Sequence, residues 1–152
     1  HKAQGVGLFN FASNIGVDNH YTHVDIPGEP RQETVGKSTV FNGTIPRWQS
    51  YSSIDFTRDN YSAFVGWRSI PRVTDDEDGE SIAGHNTIDL SASYTFAARN
   101  KWTSGVKVSV GVNNVFNRFG PKDPTIFSDS NVDTATYGAM GRFIYIDLKY
   151  KF

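Results

Sequence analysis

The chain has 152 residues, enough for one domain, and its 15 basic and 16 acidic residues leave a net charge of -1. No basic run occurs, which argues against nucleic acid as the main partner. Cysteine is absent, so disulfide scaffolds, thiolate metal sites and cysteine nucleophiles are excluded. No apolar stretch approaches the about 18 residues that a membrane-spanning helix needs.

Six segments alternate apolar and polar residues with a period of two, which predicts β-strands. In chain order they cover about residues 5–24, 47–56, 61–67, 88–96, 105–116 and 139–152. The last is the clearest, because its apolar residues alternate with Asp147, Lys149 and Lys151. The third is weaker, because Phe64 interrupts its polar side. The sequence therefore predicts an all-β chain with two chemically different strand faces.

The connections between these strands alternate between long and short. They are residues 25–45, 57–60, 70–86, 97–104 and 117–138. Long loops outside and tight periplasmic turns are typical of outer-membrane barrels. The pattern therefore predicts a transmembrane antiparallel β-barrel, and we weigh a soluble all-β domain as the less favoured alternative.

Aromatic residues sort to the two ends of the predicted membrane face. Tyr21, Trp48 and Trp67 fall at outer ends. The residues that fall at inner ends are Phe56, Tyr61, Tyr94, Phe96, Tyr150 and Phe152. Two girdles of this kind mark the two interfaces of a membrane barrel.

Two stretches resemble the C-terminus of TonB-dependent outer-membrane receptors. They read GVKVSVGVNNVFNRFGP at 105–121 and YGAMGRFIYIDLKYKF at 137–152. The matching elements are an Asn-hydrophobic-Phe element, a Gly-Arg pair and a terminal aromatic signature: Asn114-Val115-Phe116, Gly141-Arg142, and Tyr150 with Phe152. The segment Ile45-Pro46-Arg47-Trp48 and the strand ending Tyr94-Thr95-Phe96 also fit the family.

The resemblance implies that residues 1–152 are the C-terminal portion of a receptor barrel of about 22 strands. This chain would supply about six of those strands, and the plug domain would lie outside it. The implied function is active import of a scarce nutrient across the bacterial outer membrane, most commonly a ferric siderophore or similar metal chelate. A passive diffusion channel or a small self-contained structural barrel is the alternative.

The partners implied by the resemblance are the remaining barrel and plug segments of the same receptor and the TonB complex, which acts through the plug. The outer-membrane insertion machinery, lipid and lipopolysaccharide, and an extracellular nutrient ligand complete the set. The terminal strand would carry the assembly signal, in Leu148, Tyr150 and Phe152. We expect no cofactor and no enzyme activity.

Ligand selectivity is expected in the long loops and at the outer ends of lumen-facing strands, where a ligand arrives first. Aromatic and charged groups there are the candidates: Tyr21, His23, Arg68, Arg72, Asp75, Asp76 and Asp78.

Other polar groups are weighed as sites and not favoured. His20 and His23 lie three apart, so in a strand they would point to opposite faces and form no metal site. The acidic run at 75–78 lacks a calcium-loop pattern and is expected to be a solvated loop tip. His85 and Asp89 lack a nucleophile motif nearby, which argues against a hydrolase.

Overall fold

A computed structural model describes residues 6–24, 26–96, 105–126 and 130–150. The described part is all-β apart from one turn of helix. Its elements, in chain order, are β1 (Leu8–Val17), β2 (Thr22–His23), β3 (Gln32–Glu33), β4 (Lys37–Thr39), β5 (Gly43–Ile45), β6 (Trp48–Arg58), β7 (Tyr61–Ile70), β8 (Val73–Asp75), β9 (Ser81–Ile82), β10 (His85–Thr95), β11 (Val106–Asn113), α1 (Thr134–Tyr137) and β12 (Phe143–Tyr150). No helix among these residues is long and apolar enough to cross a membrane.

The six long strands form one antiparallel sheet in the order β1-β6-β7-β10-β11-β12. Each long strand pairs with the next long strand along the chain, so the sheet is an up-and-down meander. All six predicted strands are confirmed. In the described residues β1 and β12 stand at the two edges, and no closed barrel is seen.

Several predicted strand limits are wrong by a few residues. β1 ends at Val17, seven residues before the predicted limit, because the chain then leaves the sheet for a separate hairpin of β2 and β3. The turn after β6 contains only Asp59 and Asn60, with Asp59 in the left-handed region at φ 51°, a conformation that Asp tolerates. The predicted connection at 97–104 lies outside the described residues.

The strand register gives the sheet one apolar and one polar face. One cross-strand row on the apolar face contains Phe11, Ile54, Val65, Leu90, Val112 and Ile144. Ile144 in this row and Ile146 beyond it are 68% and 77% exposed. The next row, on the opposite face, contains Asn10, Asp55, Phe64, Ser91, Gly111 and Tyr145. The long sheet therefore has no packed core of its own on the apolar side.

The long connections fold together at one end of the sheet into a unit that we call the cap, made of β2 to β5, β8, β9 and α1. Its four-stranded sheet has the order β5-β4-β8-β9 and includes the parallel pair β4 and β8. The predicted loops at 25–45 and 70–86 are thus wrong in part, because both contain strands. These strands have only two or three residues, too few for a period of two to be read from sequence.

The cap contains the buried apolar residues of the described chain. They are Val35, Ile70, Val73, Ile82 and Tyr137. They come from three separate connections and from the end of β7, so burial in the cap joins segments that are distant in sequence. The ordered apolar core of this molecule therefore lies at the end of the sheet and not on its apolar face.

Ile70→Ala is expected to raise the rate of cap opening strongly. Ile70 is 1% exposed, and removing a buried isoleucine side chain costs about 2–5 kcal/mol because the cavity is only partly refilled. Ile146→Ala is the matched control, because the same truncation at a residue that is 77% exposed costs little. Amide hydrogen exchange on β4 and β8 measures the difference. Equal protection in the two variants would contradict a core at Ile70.

Candidate functional site

The polar face of the long sheet is a candidate ligand surface because it carries charged and aromatic side chains in register. Among the described residues of the long strands, six on this face are charged: Asp55, Arg68, Asp89, Lys107, Asp147 and Lys149. Three are acidic and three are basic, so their charges balance. A surface of this kind offers both hydrogen-bond donors and acceptors without a strong net field.

Two strand glycines make room for aromatic side chains on this face. A Cβ at Gly111 would lie 2.3 Å from Cζ of Tyr145, the residue directly opposite on β12. A Cβ at Gly66 would lie 3.0 Å from the Phe64 ring and would collide with the Tyr51 hydroxyl. Glycine inside a strand often marks a close approach of this kind. The rings of Phe64 and Tyr145 therefore lie low against the sheet.

Between these rings is a cavity of about 490 Å³, which we call the serine trough. Its floor contains the hydroxyl side chains of Ser62, Ser91, Ser93 and Ser109, and its walls include Phe64 and Tyr145. Ala63 also lines it, together with two acidic and two basic residues: Asp55, Asp147, Lys107 and Lys149. The trough lies on the half of the polar face that is remote from the cap, because it is built around the rows of Ser91 and Ser93.

A second cavity, of about 360 Å³, lies between the polar face and the cap. Arg68, His85 and Asp89 line it from the sheet, and Tyr137 and Met140 line it from the cap side. His85 and Tyr137 are both buried and their rings meet edge to face at 5.7 Å. This contact fixes the position of α1 over the start of β10.

Two buried carboxylates join the cap connections. Asp123 accepts a hydrogen bond from Ser38 Oγ at 2.5 Å, and the Thr125 hydroxyl lies 2.5 Å from Asp75 Oδ2 and 2.8 Å from Asp123 Oδ1. Asp75 and Asp123 are each 2% exposed. One hydroxyl has one proton to donate, so Thr125 is shared between the two carboxylates. The network links β4, β8 and the connection before α1.

Asp133 begins α1 and also holds β5. Its carboxylate accepts hydrogen bonds from the N–H of Thr44 at 2.8 Å, Ala135 at 3.0 Å and Thr136 at 3.2 Å. Burial raises the pKa of this carboxyl, but the hydrogen bonds from Thr44 and Thr136 outweigh burial and leave the pKa below its ordinary value. Burial also raises the pKa of Tyr137 to about 12, so the phenol stays neutral.

The seven predicted ligand-binding residues do not converge on one site. Tyr21, Arg72 and Asp78 are exposed, His23 contacts Asn42 with 2.7 Å between the two side-chain nitrogens, and Asp76 forms an ion pair with Lys37 at 2.5 Å. Arg68 is the one of the seven that lines the cavity beneath the cap.

The expectation of a solvated tip at residues 75–78 is wrong for Asp75. Its carboxylate is buried, and it accepts hydrogen bonds from the Thr125 hydroxyl and from the N–H of Glu77 at 2.8 Å. Asp75 is the last residue of β8. Its position inside the cap depends on the parallel pairing of β8 with β4, which no local pattern indicates.

The two histidines weighed as a metal site have other contacts. His20 pairs with Glu33, whose pKa is lowered mainly by hydrogen bonds from the backbone N–H groups of Tyr21 and Val35. His23 contacts Asn42, which lies between β4 and β5. No group of three or more metal-ligating side chains occurs among the residues that the structure describes.

Four of the aromatic residues predicted at inner ends, Phe56, Tyr61, Tyr94 and Phe96, lie with Phe9 on the apolar face, far from the cap. Phe9 and Phe56 lie 4.7 Å apart between ring centroids, Tyr61 and Tyr94 lie 4.8 Å apart, and Phe96 meets Tyr94 at 5.0 Å.

Some of the predicted outer aromatic residues and assembly residues do not lie where they were predicted, or lie outside the described residues. The position predicted for Tyr21 on a strand of this face is wrong, because Tyr21 lies beyond the end of β1. Leu148 and Tyr150 are exposed on the apolar face, and Phe152 lies outside the described residues.

Sequence reasoning missed the trough and the cap network. Gly66 and Gly111 inside predicted strands were the available signal for the trough, because an interior strand glycine marks a close approach. Asp123 and Asp133 lie in a loop in which a helix begins, and Asp is a favoured residue at the N-terminal cap of a helix. That preference was the available signal.

Comparison of the chain with protein-family models, with curated proteins and with solved structures finds no match.

We expect the cap to lose stability in acid as the Asp133 carboxylate becomes protonated. Because its pKa is lowered in the folded cap, the ionised carboxylate contributes stability above its ordinary value of 3.8, and that stability is lost as the pH falls through the folded pKa. Asp133→Asn keeps a side-chain acceptor but does not titrate. Asp133→Ala loses the helix cap, at a cost of about 0.5–2 kcal/mol at neutral pH.

Thermal unfolding of the protein, followed from about pH 7 to about pH 3, separates these effects. The wild type should lose its stability advantage over Asp133→Asn as the pH falls. A constant difference between the two across this range would contradict the role of the carboxylate charge.

Proposed function

We propose that this chain is part of the wall of an outer-membrane β-barrel that imports a scarce nutrient. The observation that carries the proposal is the apolar face of the six-stranded sheet, which is exposed in every long strand. A sheet in water buries such a face against a second layer, whereas a membrane barrel turns it toward lipid. The opposite face is polar, which fits a lumen.

The edges of the sheet support closure into a barrel with further strands. β1 and β12 each present a row of backbone N–H and C=O groups on the outer side, with no neighbour among the described residues. In lipid each unsatisfied group costs several kcal/mol. We propose that other strands of the same receptor pair with both edges, and that lipid and lipopolysaccharide cover the apolar face.

The two ends of the sheet fit opposite membrane interfaces. The cap covers the end where the long connections emerge, which is the extracellular end in outer-membrane barrels. The aromatic cluster of Phe9, Phe56, Tyr61, Tyr94 and Phe96 lies at the other end of the apolar face, where a periplasmic girdle would stand. In this orientation a nutrient meets the cap first and the polar face afterwards.

The remaining parts of the function come from the resemblance of residues 105–121 and 137–152 to TonB-dependent receptors. We propose that a plug domain outside this chain couples transport to the TonB complex, and that a metal chelate such as a ferric siderophore is the class of cargo to test first. Leu148, Tyr150 and Phe152 would form the signal that the insertion machinery recognises.

Uptake by cells tests this proposal. Membranes separated by density should contain the intact protein in the outer-membrane fraction, and it should migrate faster on gels before heating than after. A deletion strain should lose uptake of a nutrient in an energy-dependent manner. Uptake that continues after the proton-motive force is dissipated would support a passive channel instead, and recovery of the protein from the soluble fraction would refute the barrel.

Val110→Arg and Ser109→Arg should differ in membrane insertion although they are neighbours on β11. Val110 is exposed on the apolar face, whereas Ser109 lies on the polar face. Arginine toward lipid at the bilayer midplane costs about 2–4 kcal/mol, and toward the lumen it costs little. Heat-modifiable protein in outer membranes measures the outcome. Equal insertion of the two variants would argue that the apolar face does not meet lipid.

A further inference from the structure

We propose that the turn at the end of β11 fixes the register of β12, and we call this turn the register lock. It consists of Asn114 and Asn117, and it acts on Gly141 and Arg142 at the start of the last strand. The inference goes beyond the proposed uptake function, because it concerns the alignment of the last hairpin wherever the protein resides. It is drawn from the pairing of β11 with β12 and from the contacts of the turn.

The alternation of apolar and polar residues does not by itself define how β12 aligns with β11. In the observed register Val110 stands opposite Ile146. Shifting β12 by two residues would place Val110 opposite Ile144, and every apolar side chain would stay on the apolar face, because side chains repeat with a period of two. A tight turn fixes the register of a hairpin, but residues 114–142 separate these two strands. The last hairpin therefore needs another device.

The charges on the polar face favour the shifted alignment. In the observed register Lys107 stands directly opposite Lys149, and like charges in opposite positions destabilise a strand pair. The two-residue shift would place Lys107 opposite Asp147, which is an attractive pair. Lys149 Nζ does lie 3.9 Å from Asp147 Oδ1 within β12, but both side chains are exposed to solvent, so this contact contributes little. Something other than side-chain charge therefore holds the observed register.

The side chain of Asn114 closes the turn at the end of β11. Its Nδ2 donates to the Arg118 carbonyl oxygen at 2.6 Å, and its Oδ1 accepts from the Arg118 N–H at 2.9 Å. The Asn114 N–H donates to Asp89 Oδ1 at 2.7 Å, and the Val115 N–H donates to the Ile88 carbonyl oxygen at 2.8 Å. The turn is thus tied both to itself and to β10.

Asn117 connects this turn to the start of β12. Its Oδ1 accepts a hydrogen bond from the Arg142 N–H at 2.8 Å, and its backbone lies in the left-handed region at φ 53°, which Asn visits more readily than most residues. A Cβ at Gly141 would lie 2.5 Å from Asn117 Oδ1, so the contact requires glycine there. Shifting β12 by two residues in either direction would bring Ala139 or Phe143 to this place, and each of them carries a Cβ.

A second feature in the middle of the strand pair favours the same register. Tyr145 stands opposite Gly111, and a Cβ at position 111 would lie 2.3 Å from the Tyr145 ring. In the shifted alignment Tyr145 would face Ser109, whose Cβ takes up that space. The shift would also move Leu148 and Tyr150 by about 7 Å along the strand. The register lock therefore sets the position of two of the predicted assembly residues.

Disulfide trapping in the full-length protein tests the inference. The chain has no cysteine, so Val110→Cys can be combined with Ile146→Cys to report the observed register, or with Ile144→Cys to report the shift. Directly opposite positions lie about 4.5–5.5 Å apart and can form a disulfide, whereas positions two residues out of line lie about 7–8 Å apart and cannot. Mass spectrometry of the oxidised, digested protein measures the yield of each link. With the turn intact, the link between positions 110 and 146 should predominate.

Asn117→Gly removes the acceptor but tolerates the left-handed backbone. It should raise the yield of the link between positions 110 and 144 by about tenfold, the scale of one lost hydrogen bond. Gly141→Ala disturbs the same contact from the side of β12 and should act in the same direction. Asn117→Asp is the matched control, because it keeps an acceptor oxygen in place and should preserve the observed register.

Lys149→Glu tests the charge argument, because it places an attractive pair across from Lys107 in the observed register. Added to Asn117→Gly, it should return the link to positions 110 and 146. Two results would overturn the inference: Asn117→Gly and Gly141→Ala both leave the two links at wild-type yields, or Asn117→Asp shifts the register as far as Asn117→Gly does. The link lies within one hairpin, so these results are distinguishable from failure of nutrient uptake.

Discussion

The whole structure depends on the register of the six long strands. Phe11, Ile54 and Val65 stand opposite one another, and the same row continues through Leu90, Val112 and Ile144. A slip of one residue in any strand would exchange its apolar and polar faces. Because the register is kept across all six strands, every apolar side chain of the alternation reaches the same side. That side exposes large apolar side chains, among them Ile144 and Ile146.

The cap follows from this constraint. The apolar face supplies none of the buried apolar residues of the described chain, and Val35, Ile70 and Val73 are buried at the end of the sheet instead. The short strands of the cap bury little surface. The buried carboxylates of Asp75 and Asp123 add hydrogen bonds that join its segments. Asp75 and Asp123 each accept hydrogen bonds from hydroxyl or backbone N–H groups. The buried carboxylates are therefore hydrogen-bonded, and the fold avoids the cost of burying an unpaired polar group.

The sequence predicts well those strands whose apolar and polar residues alternate with a local period of two. The six strands of the meander are readable because each has eight or more residues, long enough for alternation to show even where Phe64 interrupts it. The tight turn at Asp59–Asn60 is readable from its residue types. The cap is not readable in this way. β4 and β8 pair in parallel between positions 37 residues apart, Lys37 with Thr74 and Ser38 with Asp75, and a three-residue strand has no period to detect. For that reason Asp75 looks like part of a solvated acidic run and is in fact buried.

The candidate site shows the same division between local pattern and distant contact. Phe64 breaks the polar side of its strand and therefore weakens the strand assignment, yet in the fold it forms a wall of the serine trough. Gly111, which contributes nothing to strand propensity, is the position that lets Tyr145 lie against the sheet. Positions that break a local rule often do so because a site requires it. Here both exceptions fall in one cross-strand row, between Asp55 and Tyr145. The two departures are linked by packing, because the glycine makes room for Tyr145 on the same face that carries Phe64.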